Sequence, residues 1–238
     1  MKLINTKKIE PQKKINGIYS FVLENCHKIA SEIFKTIGKT PLDKGGIFFI
    51  EGPVKSGKSL AAMDLNKLFR KEKNLRNRKF IFCQPLVDRT DVPRDKIFSR
   101  AGTTMKAFSF ESKEAIEQIF HDYDVVVMDE VQFIPNELQS YVLQEIMLFV
   151  ERGGWFVGLG LHYTSQKGEF IFPSLLISRA KKSFKMSALC QMCGSKTDKY
   201  DQRLINGVPA TIEEPELLEP SAMVTYEPRC EQCLVVKK

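Results

Sequence analysis

The sequence predicts an α/β fold in which helices cover both faces of a parallel sheet, followed by a small metal-held domain. Short apolar runs alternate with stretches of helical periodicity, and runs this apolar are typical of strands buried on both faces. Two closely spaced cysteine pairs follow the last run. Strands are predicted at residues 47–50, 80–83, 125–128 and 155–159, and helices at residues 59–68, 113–121 and 135–152.

The composition is that of an ordinary globular protein with an excess of basic residues. Of 238 residues, 43% are hydrophobic and 27% are charged, and no apolar run reaches the roughly 18–20 residues of a membrane span. The N-terminal lysines precede no apolar segment of the kind found in signal peptides, so we expect a cytoplasmic protein. The net charge of +7 suits acidic partners such as nucleotides, nucleic acid or an anionic membrane. The most basic run, residues 70–79, lacks aromatic residues, so we expect no nucleic-acid partner. We also expect no membrane partner.

An amphipathic helix is predicted at residues 17–37, ahead of the sheet. Six apolar residues recur there at helical spacing with charged residues between them: Ile18, Val22, Cys26, Ile29, Ile33 and Ile37. Gly38 and Pro41 end the pattern. We therefore expect residues 1–44 to form an N-terminal extension whose helix packs on the core or on a neighbouring subunit.

A phosphate-binding loop is predicted directly after the first strand. Its eight residues match the pattern G-x-x-x-x-G-K-[ST] in full: Gly52, Pro53, Val54, Lys55, Ser56, Gly57, Lys58 and Ser59. The glycines let backbone N–H groups turn toward phosphate oxygens, and the following helix presents its positive N-terminus to the same anion. Lys58 can reach the outer phosphates and Ser59 can bind Mg²⁺. The sheet is therefore predicted to be of the P-loop NTPase kind.

Two acidic residues, Asp129 and Glu130, end the third apolar strand. In a parallel sheet of this kind, that end lies beside the phosphate loop. One carboxylate there can hold Mg²⁺, usually through water, and the second can act as a base toward an attacking hydroxyl or water. A purely structural interpretation, in which both acids start the next helix, stays open at this point.

Four cysteines near the C-terminus have the spacing of a metal site. Cys190 and Cys193 form one C-x-x-C pair, and Cys230 and Cys233 form the other. Four thiolates complete a tetrahedral shell around Zn²⁺, so the metal would be structural rather than catalytic. We expect residues 186–238 to form a zinc-held domain after a larger P-loop domain at 45–185.

The order of these features resembles the thymidine kinases of the cellular, zinc-containing type (type II). The segment 129–133, Asp-Glu-Val-Gln-Phe, is similar to the acid motif of that family. Segments 202–207 and 226–230 are similar to the C-terminal lasso of its bacterial members. The resemblance covers about residues 45–238 and leaves the first 44 residues outside it.

The resemblance implies a role for several individual residues. Glu130 would be the base that takes the proton of the nucleoside 5′-hydroxyl. Asp129 and Gln132 would join the phosphate loop in binding ATP with Mg²⁺. Three aromatic residues would contact the nucleoside: Phe133 and Tyr163, which would flank the thymine ring, and Tyr226 in the lasso.

The resemblance also implies a homotetramer, feedback binding of dTTP, and an arginine near the phosphates. Arg89 is the nearest match to that arginine, but its loop is longer than the family pattern, so Arg94 or Arg100 could take the role. Two departures leave the nucleoside specificity open. Gly160 stands where the family has Asp, and Asp201 stands where it often has Thr.

We therefore predict ATP-dependent phosphorylation of the 5′-hydroxyl of thymidine, and of deoxyuridine as well, in nucleotide salvage for DNA synthesis. One alternative is a nucleic-acid-stimulated P-loop ATPase with a zinc ribbon, although no second set of motor motifs follows the fourth strand. The other is a weakly active nucleotide-binding homologue, which Gly160 and Asp201 motivate.

Overall fold

The computed structural model describes residues 11–71, 77–86, 95–99, 102–213 and 223–237, with side chains of the first helix from residue 22 onward. The described helices are α1 Pro11–Lys39, α2 Lys58–Lys71, α3 Lys113–Asp122, α4 Asn136–Glu151 and α5 Ile171–Arg179. The described strands are β1 Gly46–Glu51, β2 Phe80–Pro85, β3 Lys96–Phe98, β4 Thr104–Lys106, β5 Phe108–Phe110, β6 Val125–Met128, β7 Trp155–Gly160, β8 Lys182–Lys185, β9 Ala188–Leu189, β10 Lys196–Thr197, β11 Tyr200–Ile205, β12 Val208–Pro209 and β13 Val224–Arg229. No described helix is long and apolar enough to cross a membrane.

The main sheet has six strands in the order β5-β2-β6-β7-β1-β8, and every described pair in it is parallel. The four predicted strands are confirmed as β1, β2, β6 and β7. The edge strands β5 and β8 were not predicted. Both are short, and Phe184 is the single apolar residue of β8, because an edge strand is not enclosed on all sides.

Helices pack against both faces of the sheet, as predicted. Along β1, Phe48 and Ile50 lie in the apolar cluster that α1 and α2 cover, whereas Ile47 and Phe49 lie in the cluster that α3, α4 and α5 cover. Successive side chains of a strand point to opposite faces, so a strand enclosed on both must be apolar at every position. With a phosphate loop after β1, this is a P-loop NTPase-like architecture.

The N-terminal helix α1 packs on the core of the sheet domain, against α2. It is longer than the predicted 17–37, and four residues of its apolar stripe are buried: Cys26, Ile29, Ile33 and Ile37. Arg78, which is 7% exposed, donates hydrogen bonds to the carbonyls of Thr40 and Pro41 at 3.2 and 2.8 Å. The guanidinium therefore satisfies backbone groups just after the end of the helix.

The C-terminal segment forms a small antiparallel unit beside the main sheet. Strands β9 and β10 pair with each other, and β11 lies between β12 and β13. The cysteine pairs flank these strands, with Cys190 after β9 and Cys230 after β13. We call residues 186–237 the cysteine unit. The division of the chain into three domains stays a prediction.

Shortening one buried residue of α1 tests how tightly this helix belongs to the core. Because Ile33 is fully buried, Ile33→Ala should lower the free energy of unfolding by about 2–5 kcal/mol. Lys35→Ala, on the exposed side of the same helix, should change it by less than about 0.5 kcal/mol. Urea unfolding followed by circular dichroism measures both. Equal stability of the two variants would show that α1 is not packed as described.

Candidate active site

The phosphate loop connects β1 to α2 and has the backbone geometry that its glycines predict. Gly57 has φ 97°, a value that favours glycine, and a Cβ there would lie 2.8 Å from Val22 Cγ1 of α1. The thiol of Cys26 donates a hydrogen bond to the Gly57 carbonyl at 3.3 Å. Burial raises the pKa of Cys26 to about 12, so it remains a protonated donor. The helix α1 thus supports the loop from behind.

Two side chains at the end of the loop make the polar contacts expected of a phosphate site. Lys58 is 8% exposed, and its Nζ donates to the carbonyls of Gly52 and Pro53 at 2.7 and 3.0 Å. The hydroxyl of Ser59 donates to Asp129 Oδ2 at 2.9 Å. The sheet therefore brings the loop and the predicted acid motif into direct contact.

The Ser59–Asp129 pair also has the chemistry of a Mg²⁺ site. A hydroxyl and a carboxylate are oxygen ligands of the kind Mg²⁺ prefers beside nucleotide phosphates. Burial raises the pKa of Asp129 above its usual value, and the nearby Glu130 raises it further. A divalent cation at this position would favour the ionised carboxylate, so the donor set fits the predicted ion.

Glu130 has an unusual backbone conformation at the end of β6. Its φ of 55° and ψ of 42° are left-handed, and a one-turn 3₁₀ helix, Val131–Phe133, follows it. Its Oε2 accepts a hydrogen bond from Gln132 Nε2 at 2.5 Å, and Gln132 Oε1 accepts from the Leu161 N–H at 3.1 Å. Gln132 thus links the predicted base to the segment after β7. Its predicted contact with ATP·Mg²⁺ stays a prediction.

The aromatic residues predicted for the nucleoside lie on three elements. Phe133 is half-buried at the end of the 3₁₀ helix, and Tyr226 is half-buried on β13. Tyr163 follows β7, and its ring lies 5.5 Å from the ring of Tyr200 at the start of β11. Tyr163 therefore contacts the cysteine unit. Arg89, with the alternatives Arg94 and Arg100, lies outside the described residues.

The four predicted metal ligands come together in space. The sulfurs of Cys190, Cys193, Cys230 and Cys233 all lie within 4.8 Å of one another. Cys193 Sγ and Cys230 Sγ are 3.6 Å apart. Thiolates bound to Zn²⁺ at about 2.3 Å have nearly this separation, so the cluster fits a structural zinc ion.

Comparison with known proteins supports the family that the motifs indicate. A family profile described as thymidine kinase matches residues 45–234. The chain belongs to the thymidine kinase family. The matched residues include the phosphate loop, the acid motif and all four cysteines, whereas the whole of α1 lies outside them.

Solved structures show only a distant likeness. Domain III of the Thermotoga maritima replication initiation protein DnaA is 16% identical with a TM-score of 0.43, over 66% of this chain and 60% of that one. The ATPase DotB of Legionella pneumophila is 10% identical with a TM-score of 0.36, over 67% of this chain and 45% of that one. Likeness at this level says nothing about the substrate.

The departure of this thymidine kinase family member at Gly160 has a structural reason. A Cβ at Gly160 would lie 2.5 Å from Gln132 Oε1 and 3.0 Å from Val131 Cγ2. The Gln132 amide, whose orientation two hydrogen bonds fix, therefore occupies the space that an acidic side chain would need. The sequence showed that an acidic residue is missing at position 160, but it did not show that the Gln132 amide occupies that space.

A buried ion pair, which sequence reasoning missed, lies at the end of β1. Glu51 Oε2 and His162 Nδ1 are 2.7 Å apart, and Ser183 Oγ donates to Glu51 Oε1 at 2.9 Å. Burial alone would raise the pKa of Glu51, but the hydrogen bonds from His162 and Ser183 outweigh it and lower the pKa. The hydrogen bond to Glu51 in turn raises the pKa of His162. The sign of this pair in the sequence was an acidic residue, Glu51, at the end of an otherwise apolar strand.

This pair makes the stability of the protein depend on pH. Because the folded-state pKa of His162 is raised, its contribution is complete below about pH 6.5 and is lost as the pH rises through the raised value. The contribution of Glu51, whose pKa is lowered, is present above its ordinary pKa of 4.5 and is lost as the pH falls through the lowered value. The pair is therefore most stabilising in weakly acidic solution.

Removing the imidazole should expose this dependence. His162→Ala leaves Glu51 buried without its main partner, so it should lower the free energy of unfolding by about 3 kcal/mol near pH 6. The loss should be smaller near pH 9, because the contribution of His162 is lost as the pH rises through its raised pKa. His121→Ala is the control, because that imidazole pairs with Asp122 but is 87% exposed. If His162→Ala lost the same free energy of unfolding at pH 6 and at pH 9, the prediction would be contradicted.

Proposed function

We propose that this protein transfers the γ-phosphoryl group of ATP to the 5′-hydroxyl of thymidine, and of deoxyuridine as well. The observation that carries the proposal is the contact between Ser59 of the phosphate loop and Asp129, whose neighbour is Glu130. It brings a nucleotide-binding loop and a carboxylate base to one end of the sheet. Membership of the thymidine kinase family supports the nucleoside as acceptor.

The loop would bind the phosphates through its backbone N–H groups and Lys58. The Lys58 ammonium donates to the carbonyls of Gly52 and Pro53. Phosphate oxygens are stronger acceptors, so Lys58 would exchange these carbonyls for phosphate oxygens when a triphosphate binds. Ser59 and Asp129 would hold Mg²⁺. That ion neutralises negative charge on the phosphate oxygens when it is bound.

Glu130 would accept the proton of the 5′-hydroxyl as the hydroxyl oxygen attacks the γ-phosphorus. The bond from that phosphorus to the bridging oxygen breaks, and ADP leaves. The hydrogen bond from Gln132 Nε2 to Oε2 of Glu130 would orient the carboxylate toward the substrate. A base held in this way loses little entropy at the moment of transfer.

The wider interpretation follows from the same proposal. Phe133 and Tyr163 would flank the thymine ring, and Tyr226 would contact the nucleoside from the lasso. Closure of the lasso on the base would exclude water and so favour transfer over hydrolysis. An arginine outside the described residues, Arg89 by motif, would balance charge on the phosphates. The protein would serve nucleotide salvage in the cytoplasm as a homotetramer inhibited by dTTP. It would have a kinase domain at 45–185 and a zinc-held domain at 186–238.

Replacing the base while keeping its shape tests the chemistry. Glu130→Gln cannot accept the proton, so kcat with thymidine should fall by about 10²–10⁴-fold while the affinity for ATP stays near that of the wild type. Transfer of labelled γ-phosphate to thymidine, to deoxyuridine, to single-stranded DNA and to no acceptor measures this. Glu137→Gln, an exposed acid at the start of α4, is the matched control.

Three results would contradict the proposal. Near-normal turnover by Glu130→Gln would remove Glu130 as the base. Release of free phosphate stimulated by DNA would favour a nucleic-acid-dependent ATPase. Nucleotide binding without transfer to any nucleoside would favour a weakly active homologue.

The metal is a separate prediction. We expect about one zinc ion per chain in the purified protein, since four clustered sulfurs complete the coordination of Zn²⁺. Cys193→Ser and Cys230→Ser should lose the ion and unfold at a lower temperature, whereas Cys83→Ala, at a buried cysteine outside the cluster, should keep it. Elemental analysis of the purified proteins measures their zinc content, and wild-type protein without stoichiometric zinc would refute the zinc site.

A further inference from the structure

The cysteine unit touches the phosphate loop through a buried carboxylate. Asp201, the second residue of β11, is 2% exposed. Both of its carboxylate oxygens lie 3.0 Å from the backbone nitrogen of Val54, the third residue of the loop. The two residues are 147 positions apart in the sequence, so this bond joins the phosphate loop to a distant part of the chain.

Two neighbouring contacts make this a continuous interface. Lys55 Nζ donates to Gln191 Oε1 at 3.4 Å, and a Cβ at Gly52 would lie 2.5 Å from the Met186 carbonyl oxygen. The first, third and fourth residues of the loop thus all face the cysteine unit. Asp201 is the buried, charged member of the set.

The position of the Asp201 carboxylate is set by the antiparallel sheet that carries it. Asp201 is in register with Pro228 of β13, and the adjacent pair is Tyr200 with Arg229. Cys230 follows directly, and Gln191 follows Cys190. Gln191 therefore lies next to Cys190, and the register partner of Asp201 lies two residues before Cys230.

A carboxylate in this place acts on the loop rather than on a ligand. Burying a carboxylate is costly unless it accepts hydrogen bonds, and a charge-assisted bond to an N–H group is stronger than a neutral one. Because the Val54 N–H is engaged by Asp201, it is not among the groups that the loop offers to phosphate. The bond from Val54 to Asp201 holds the backbone just before Lys55, which has a left-handed φ of 62°.

We propose that Asp201 is a positioning residue for nucleotide binding: it fixes the phosphate loop from the cysteine unit and so sets the affinity for the nucleotide phosphates. This inference rests on the proposed binding of nucleotide by residues 52–59. It gives the cysteine unit a role at the phosphate end of the site as well as at the nucleoside end. Loss of the bond leaves the loop free to sample shapes that do not bind phosphate.

The test is the binding of ADP·Mg²⁺ to the full chain, which requires no nucleoside and no phosphoryl transfer. Asp201→Ala should weaken this binding by about tenfold, the size expected from losing one charge-assisted hydrogen bond. Asp201→Asn keeps an acceptor oxygen without the charge and should have a smaller effect. Asp198→Ala is the control, because Asp198 is exposed on the turn before β11. Calorimetry measures all four proteins.

Two further readouts separate positioning from general damage. The Val54 amide should exchange its hydrogen faster in Asp201→Ala than in the wild type, with the zinc content and circular dichroism unchanged. In turnover assays the KM for ATP should rise while the KM for thymidine stays the same. If Asp201→Ala fails to fold, Asp201→Asn decides by the same measurements.

Unchanged ADP affinity and unchanged Val54 exchange in a folded, zinc-loaded Asp201→Ala protein would overturn the inference. A parallel rise in the KM values for ATP and thymidine would overturn it too, since that indicates a general disturbance. Failure of the wild type to bind ADP·Mg²⁺ would instead contradict the proposed function. The exchange of the Val54 amide then still decides whether Asp201 holds the loop.

Discussion

The phosphate loop depends on hydrogen bonds that come from three separate parts of the chain. Each part supplies one partner: Cys26 to Gly57, Asp129 to Ser59, and Asp201 to Val54. A loop that turns N–H groups toward an anion cannot use them in regular secondary structure, so its shape has to be fixed by outside groups. The N-terminal helix, the central strand β6 and the cysteine unit are all arranged around that need.

This dependence would become stronger if the proposed nucleotide bound. The Lys58 ammonium holds the loop together by donating to the carbonyls of Gly52 and Pro53. A phosphate would draw Lys58 away, since a charged acceptor is the stronger partner. The loop then keeps its shape only through contacts that do not involve Lys58. The bonds to Cys26 and Asp201 are of that kind, and both residues are buried.

The sequence predicted those parts of the protein whose signal is local. Four buried strands, the phosphate loop, the acid motif and the cysteine pairs each occupy one short segment with its own pattern, and the structure contains all of them. The edge strands β5 and β8 were missed because an edge has no continuous apolar run. Glu51–His162 and Asp201–Val54 were missed for another reason. Each joins residues more than a hundred positions apart, and no periodicity encodes such a pair.

The region around Glu130 shows how a lost family residue can be accommodated. A left-handed non-glycine residue costs about 1–3 kcal/mol, so Glu130 keeps this conformation only if its surroundings impose it. The Glu130 backbone donates its N–H to Asp129 Oδ1 at 3.0 Å, and its carbonyl accepts from the Phe133 N–H at 2.9 Å. The Gln132 amide orients the Glu130 carboxylate, and each of these bonds contributes about 1 kcal/mol. The amide can lie there only because position 160 is glycine, since even a Cβ would lie 2.5 Å from its oxygen. Gly160 and Gln132 therefore form one unit, in which the glycine leaves room for the amide that orients the Glu130 carboxylate.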